Sequence, residues 1–168
     1  MKRDAIFSHY NSYRYRFSKI WDSNKKTVLL IGLNPSNGTD KKDDPTLTKL
    51  TKIVEHLDGE IYGGFYVGNL FAFITPKPHE LIQSKNPIGD DNDCHLIDMA
   101  LKCEKTICMW GNEGVLNRRD KDVVGLFEKQ NIPLYCFGFT EDKNPMHSRH
   151  PMSQKPTQYK TEQFNLSK

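Results

Sequence analysis

The sequence predicts an α/β fold, namely a three-layer α/β/α domain with a central four-stranded parallel sheet. Apolar runs typical of buried strands alternate with stretches whose apolar residues recur at helical spacing. Each run leads into glycine or small polar residues, as expected where parallel strands end at one edge of a sheet. With 168 residues, we expect a single domain over 1–168, with an N-terminal edge segment (1–26) and a loop-rich C-terminal part (140–168).

The first half of the chain contains two apolar runs typical of buried strands. Residues 13–17 alternate aromatic and basic side chains, which favours an edge strand with one aromatic face, and a short helix is the alternative. The apolar run 27–32 predicts a buried strand. Asp44 and Pro45 are typical of a helix start, and apolar residues follow at helical spacing. A second buried strand is predicted over 64–70, followed by a loop that enters a short helix.

The second half repeats this alternation. Helices are predicted over 90–103 and 114–129, where apolar residues share one face. Strands are predicted over 106–110 and 133–139. The rest of the chain is polar and rich in loops.

Charge and cysteine content narrow the functional class only slightly. The net charge of +3 neither requires nor excludes nucleic acid. Residues 143–160 carry four Lys or Arg, two His and no acidic residue. Such a basic segment favours nucleic-acid binding slightly, and an ordinary solvated surface is the alternative. None of the four cysteines forms a C-x-x-C pair, so we expect reduced, buried thiols rather than a zinc or iron–sulfur site. No apolar run reaches membrane-spanning length and the N-terminus lacks a signal peptide, so we expect a cytoplasmic protein without membrane contact.

Several catalytic motifs are absent from the sequence. It has no P-loop and no dinucleotide fingerprint, and Ser36 lacks the nucleophile-elbow context. The acidic residues Asp40, Asp43 and Asp44 could bind a metal, as in a metal-dependent phosphoesterase. Acids are also favoured at the start of a helix, which explains the same pattern without a metal. We expect no metal and no cofactor.

The side chains that remain at the predicted strand ends suit a flat polar ring. Asn34 and Asn69 offer amides that can donate to and accept from a pyrimidine edge, and Phe71 or Phe73 could stack on a base. His150 could donate to an oxygen that becomes negative as a leaving base departs. Structural roles are the alternative for each: turn capping for Asn34, backbone bonding for Asn69, core packing for the phenylalanines, and an exposed loop position for His150.

Four stretches in this order resemble the motifs of the uracil-DNA glycosylase superfamily. "LLIGLNPSN" looks like its first motif, "YVGNLFAFIT" like the strand that ends in the base-recognising Asn, "TICMWGNEG" like the strand that ends in Trp-Gly, and "SRHPMS" like the final His-Pro-Ser loop. The resemblance covers about residues 27–155. The combination of "NPSN", "DDPT", "NLFAF", "WG" and "HP" looks closer to a divergent branch of that superfamily, a domain of unknown function found in bacteria and mobile elements.

The resemblance implies a uracil-DNA glycosylase-like fold and roles for particular residues. Asn34 would orient water or stabilise the sugar cation, and His150 would stabilise the departing base. The implied base-binding residues are Leu33, Pro35, Ser36, Asn69, Phe71 and Phe73, among which Asn69 would read the base edge. The implied loop on the DNA backbone and minor groove contains His147, Arg149, Pro151, Met152 and Ser153, with Met152 as a wedge.

Three departures from the superfamily pattern predict weak or lost uracil excision. Asn34 stands where the most active members have Asp, and an amide can neither take a proton from water nor offset a developing positive charge. Ser36 replaces a bulky Tyr that would exclude a 5-methyl group, and Met152 replaces a Ser. We therefore expect a pseudoenzyme that resembles the glycosylases of base excision repair and that binds DNA or engages a DNA-mimicking glycosylase inhibitor. We also expect a monomer. An active glycosylase for uracil or another modified base is one alternative, and the phosphoesterase is another.

Overall fold

The computed structural model describes residues 1–37, 45–150 and 154–165, and it shows an α/β protein. The strands of its seven-stranded sheet are β1 (Lys2–Phe7), β2 (Arg14–Ile20), β3 (Thr27–Gly32), β4 (Gly64–Asn69), β5 (Lys105–Cys108), β6 (Leu134–Cys136) and β7 (Glu162–Phe164). The helices are α1 (Pro45–Val54), α2 (Glu80–Gln83), α3 (Asn92–Leu101) and α4 (Arg119–Lys129). Short 3₁₀ segments are formed by Leu57–Gly59, Asn112–Arg118 and Pro156–Gln158.

The sheet is mixed and larger than predicted. Its order is β1-β2-β4-β3-β5-β6-β7. Neighbours from β4 to β6 run parallel, whereas β1 with β2, β2 with β4 and β6 with β7 are antiparallel. A four-stranded parallel sheet is therefore not a correct description of the whole. The additional outer strands were missed because β1 and β7 are mostly half-buried or exposed, so they lack a buried-strand pattern.

The segment predicted as an edge strand lies inside the sheet. β2 is covered on one side by β1 and on the other by β4. Tyr15 and Phe17 are buried, as the aromatic alternation suggested, and the Tyr13 and Tyr15 rings stack at 6.1 Å. The edge of the sheet on this side is β1, because the first residues of the chain pair antiparallel with β2.

The core consists of two apolar clusters on opposite faces of the sheet. Leu29 and Ile31 of β3 pack with residues of α3 and α4, whereas Val28 and Leu30 pack with residues of α1. This division follows from the alternation of side chains along a strand. Helices therefore cover both faces, which is why β3 reads as a continuous apolar run.

The remaining predicted elements are present with shifted ends. The helix predicted over 114–129 is a 3₁₀ segment up to Arg118 and an α-helix only from Arg119, because Asn117 and Arg118 both adopt left-handed backbone angles (φ 53° and 57°).

The helices of residues 1–37, 45–150 and 154–165 are not long and apolar enough to cross a membrane.

The cysteines differ from the expectation at one position. All four are free thiols, and Cys108 and Cys136 are buried as expected, but Cys94 is exposed and Cys103 is intermediate. Cys94 lies in α3 at a position that faces away from the core, whereas Met99 and Ala100 face it. The prediction of a buried thiol is wrong for Cys94.

Candidate functional site

A cavity of about 390 Å³ lies at the edge of the sheet where β3, β4 and β5 end. This is the edge at which open α/β sheets bind their ligands. Segments that follow β3, β4, β5 and β6 all contribute to it. The polar residues that line it are Arg14, Asn34, Ser36, Thr46, Asn69, Asn112, Glu113, Thr140, His147 and His150.

The loop after β3 is held by the loop after β4. The backbone N–H groups of Leu70, Phe71 and Thr75 donate to the carbonyls of Gly32, Leu33 and Pro35, at 2.9, 2.9 and 3.0 Å. These bonds continue the parallel β3–β4 pairing beyond the strand ends. The turn formers Asn34 and Pro35 are thereby placed over the cavity instead of turning away from the sheet.

Asn34 uses both its amide hydrogens within this loop pair. Its Nδ2 donates to the carbonyl of Thr75 at 2.9 Å and to that of Pro35 at 3.1 Å, with a longer contact of 3.4 Å to the carbonyl of Phe73. The side chain is half-buried and lines the cavity. Because all three partners are acceptors, the Nδ2 end is held against the loop, and Oδ1 is the end that remains for a ligand.

Asn69 is the last residue of β4 and its side chain is 4% exposed. Its Nδ2 is buried and has no hydrogen-bond partner in the part of the chain that the structure describes. Its Oδ1 lies so close to Gly32 that a Cβ added at Gly32 would be 2.9 Å away. A glycine at the end of β3 therefore leaves the space that the Asn69 amide occupies beside the cavity.

The loops after β5 and β6 are joined by a polar network beside the cavity. Oδ1 of Asn112 accepts from Oγ1 of Thr140 at 2.6 Å and from Nδ2 of Asn144 at 3.2 Å. Nδ2 of Asn112 donates to Asp142 at 2.8 Å. Thr140 and Asn144 are buried. The network keeps the two loops together. His147 and His150, which lie further along the loop after β6, therefore reach the same cavity as Asn69.

His147 and His150 both line the cavity and are half-buried. Nδ1 of His147 accepts from the backbone N–H of Arg149 at 3.1 Å, so the neutral ring carries its proton on Nε2. The backbone N–H of His150 donates to the carbonyl of His147 at 2.9 Å. The hydroxyl of Tyr159 holds the segment 147–150 in place by donating to the carbonyl of Ser148 at 2.9 Å.

Arg14 is a cavity residue that the sequence analysis did not select. It is 7% exposed, its guanidinium lies 5.7 Å from the Phe17 ring centroid, and Nη1 donates to the carbonyl of Asn37 at 3.3 Å. The alternation of residues 13–17 drew attention to the aromatic side chains. Only the antiparallel pairing of β2 with β4 brings the start of β2 to the carboxyl edge of the sheet. Arg14 places a cationic side chain in the cavity wall.

Comparison with known families assigns the chain to a family. Residues 14–152 match the family model described as "Protein of unknown function (DUF1643)". The chain belongs to the DUF1643 family. No curated protein and no solved structure matches the chain. The family match does not connect the chain with the uracil-DNA glycosylase superfamily, so that resemblance stays a prediction.

The region matched by the DUF1643 model includes the whole cavity wall. It begins at Arg14 and ends after His150, and every residue that lines the cavity lies between them. β1 and β7 lie outside it. The site is therefore built from the family's own sequence rather than from the outer strands of this chain.

The other predicted site residues occupy different positions. Leu33, Pro35 and Ser36 line the cavity. Phe71 is fully buried in the core, and Phe73 packs against the same cluster and against Tyr13, so neither ring lines the cavity. Arg149 is exposed and does not line it either. Pro151, Met152 and Ser153 lie outside the described residues, as do Asp40, Asp43 and Asp44.

The described residues offer no metal centre. Among residues 1–37, 45–150 and 154–165, no group of three or more His, Cys, Asp or Glu side chains could hold an ion. The acidic cavity residue Glu113 is exposed and lies in the 3₁₀ segment after β5. The other polar groups of this cavity are amides, imidazoles, hydroxyls and a guanidinium, which suit hydrogen bonding to a polar organic ligand.

Proposed function

We propose that this DUF1643 protein binds nucleic acid and holds one unpaired base in the cavity, with weak or no excision of that base. The cavity of about 390 Å³ falls in the usual range of about 300–1,000 Å³ for small-ligand sites. Enzymes that act on bases take them out of the stack into such a pocket. The resemblance to the uracil-DNA glycosylase superfamily points to the same class of ligand.

The proposal includes a comparison of the parallel part of the sheet with the sheet of a glycosylase. The four parallel strands β4, β3, β5 and β6 are adjacent and have helices on both faces. We regard this part as the equivalent of a glycosylase-like sheet to which β1, β2 and β7 are added. The position of the cavity at the ends of β3, β4 and β5 supports that comparison.

The unpartnered amide of Asn69 carries the proposal. A buried N–H donor without a partner costs about 1–3 kcal/mol of stability, which a ligand oxygen could recover. The amide can donate to a carbonyl oxygen of a base and accept from a ring N–H through Oδ1. Uracil, thymine and guanine present both groups on one edge. Asn34 and His150 line the same cavity, so both can contact the same ligand.

The charge of the cavity wall supports a nucleic acid rather than a free neutral base. Arg14, His147 and His150 line the cavity with one acidic residue, the exposed Glu113, and Arg149 is exposed on the loop that carries the two histidines. Basic side chains beside a base pocket contact the phosphates on either side of an extruded nucleotide. We therefore expect binding that weakens as the salt concentration rises.

The bonds of Asn34 support weak excision. The Nδ2 end is held by backbone carbonyls, and an amide oxygen cannot remove a proton from water at neutral pH. The site also lacks the negative charge that a carboxylate at residue 34 would supply. Loss of one such electrostatic group commonly lowers the rate by about 10²–10³-fold.

An active glycosylase is the second candidate, because Asn34 and His150 line one cavity, where the first could position water and the second could stabilise a leaving base. No contact of a described residue favours the phosphoesterase. A DNA-mimicking inhibitor of glycosylases is a candidate protein partner of the binding form, since such a protein would use the surface that takes DNA.

Two measurements on purified protein test the proposal. The first is the affinity for labelled oligonucleotides that are identical except for one uracil, cytosine or abasic site, in single- and double-stranded form and at two salt concentrations. We expect uracil to be preferred. The second is a single-turnover excision assay with alkaline cleavage of abasic product, in the presence of EDTA. We expect product to form far more slowly than with an active glycosylase, and rapid turnover that His150→Ala abolishes would favour the active enzyme instead.

A further inference from the structure

We propose that Asn92 and Arg119 are positioning residues that set the direction of the Asn69 amide by holding the backbone at the end of β4. The inference deepens the proposed function and rests on it for the role of Asn69 as the base-reading group. Neither residue lines the cavity, and neither was selected from the sequence.

The contacts converge on two consecutive carbonyls. Nδ2 of Asn92 donates to the carbonyl of Asn69 at 2.9 Å and to that of Leu70 at 3.1 Å. Nε of Arg119 donates to the same Leu70 carbonyl at 2.8 Å. These carbonyls lie where β4 ends. Three charged or amide N–H bonds thus hold the peptide groups on the C-terminal side of Asn69.

Both donors are buried and come from different helices. Asn92 is the first residue of α3 and is fully buried, whereas Arg119 is the first residue of α4 and is 3% exposed. An ion pair with Asp93 of α3 holds the other end of the Arg119 guanidinium and connects the two helix starts. The backbone at residue 69 is therefore fixed relative to α3 and α4 as well as to the sheet.

Asn69 needs such a backbone constraint because its side chain supplies none. Its Nδ2 bonds to no described residue, so the direction of the amide depends on the backbone to which it is attached and on the space left by Gly32. Sites that read a ligand by hydrogen bonds work only when the reading group is held by neighbouring groups to within about half an ångström.

Two features indicate that the arrangement serves more than burial of the carbonyls. Oδ1 of Asn92 is buried without a partner among the described residues, which is a cost in stability that buried polar groups normally avoid. In addition, Arg118, the residue before Arg119, has a left-handed backbone angle (φ 57°), which is unfavourable for a side chain such as arginine. Strain of this kind persists where a structure requires one particular geometry.

Arg119→Lys is the decisive variant, and Arg118→Lys is its matched control. The lysine keeps the charge but lacks the planar group that bonds Leu70 and Asp93 together. Arg118 is the preceding residue and is exposed, so the same substitution there should leave the site unchanged. Asn92→Asp provides a second test, since a carboxylate cannot donate to either carbonyl.

Two readouts separate positioning from stability. The first is a ratio of two dissociation constants for labelled single-stranded DNA 15-mers. The constant for the 15-mer with one central cytosine is divided by the constant for the same 15-mer with uracil at that position. The second is the pair of side-chain amide resonances of Asn69 in a ¹⁵N–¹H NMR spectrum, assigned by their loss in Asn69→Asp. We expect Arg119→Lys to lower the ratio about tenfold and to shift the Asn69 resonances, with neither change in Arg118→Lys.

The other possible results distinguish a failure of the inference from a failure of the proposed function. An unchanged ratio in folded Arg119→Lys, even with a lower melting temperature, would show that the residue only stabilises the fold and would overturn the inference. If the wild-type protein binds both 15-mers equally, the proposed function fails, and the resonances then decide the inference separately. Asn69 resonances that do not move in either Arg119→Lys or Asn92→Asp would overturn it.

Discussion

The side-chain amide of Asn34 donates a hydrogen bond to the backbone carbonyl of Thr75 across a distance of 2.9 Å. Thr75 in turn donates its backbone N–H to the carbonyl of Pro35, so the two loops are joined in both directions. Asn34 is therefore part of the structure that holds the cavity together as well as a residue that lines it. Its Nδ2 donors are used by the protein, which limits the chemistry it can perform.

Asn34→Asp tests this assignment. A carboxylate at this position would face the carbonyls of Thr75 and Pro35, so we expect a loss of about 1–3 kcal/mol of unfolding free energy and no gain in excision. Protonation would restore a donor, so the loss should be smaller at pH 4 than at pH 8. Urea denaturation at both pH values measures it, with the exposed Asn11→Asp as control. An increase of tenfold or more in uracil excision would contradict the assignment.

Gly32→Ala tests the space that Asn69 occupies. The added Cβ would lie 2.9 Å from Oδ1 of Asn69, so the amide has to move, while Gly32 itself has a backbone conformation that alanine tolerates. We expect the preference for a uracil site over an abasic site to fall about tenfold in a folded protein, as measured by anisotropy of labelled oligonucleotides.

Gly125→Ala is the matched control for that experiment. A Cβ at Gly125 of α4 would meet no atom within 4 Å. We expect unchanged binding and a gain of up to about 1 kcal/mol in stability, because alanine is a better helix former than glycine. Equal effects of the two substitutions on binding would argue against a role for the space beside Asn69.

Asp58 predicts a pH dependence of stability that is independent of the site. Burial acts to raise the pKa of this carboxyl, but bonds from Lys105 Nζ at 2.7 Å and from the Thr161 N–H at 2.8 Å outweigh it and lower the pKa. A lowered pKa stabilises the fold above the unfolded value of about 3.9 and loses that contribution as the pH falls through the folded value.

Asp58→Asn should therefore cost about 1–3 kcal/mol at pH 7, and the difference from the wild type should shrink below pH 4. Asparagine tolerates the left-handed backbone of this position (φ 55°), so the change isolates the charge. Asp98→Asn is the control, since the Asp98–Lys102 pair is exposed and should contribute less than about 0.5 kcal/mol. Urea unfolding from pH 3 to pH 8 measures both, and a difference that does not depend on pH would contradict the prediction.

Thiol reactivity tests the packing of the sheet. Burial raises the pKa of Cys103 to about 12 and that of Cys136 to about 11, and it also raises the pKa of Cys108. Cys94 is exposed. At pH 8, a disulfide reagent should therefore modify one thiol rapidly in the native protein and all four in denaturant. Two or more rapidly reacting thiols in the native protein would show that the sheet or its helical cover is more open than described.

The central part of the fold could be predicted because its elements carry strong local patterns. β3 begins and ends where the apolar run does, and the rule that ligands bind at the carboxyl edge identified the loops that contain Asn34, Asn69 and His150. β1 and β7 could not be found in this way, since most of their residues are half-buried or exposed and carry little apolar signal.

The residues that support the site were missed for a different reason. Arg14, Asn92 and Arg119 reach the end of β4 only through pairing and packing between elements distant in the chain. Arg14 lies in an alternating aromatic pattern, and the other two begin helices, where polar residues are common. Their roles depend on which carbonyls lie opposite them, and no local pattern of residues contains that information.

The base-reading role of Asn69 is tested by the affinity of wild-type protein and of Asn69→Ala for matched oligonucleotides with a uracil or an abasic site. We expect the wild type to prefer uracil by about tenfold or more, and Asn69→Ala to lose this preference while keeping its salt-dependent affinity for the abasic strand. The same preference in both proteins, or none in the wild type, would contradict a base-reading role for the unpartnered amide of Asn69.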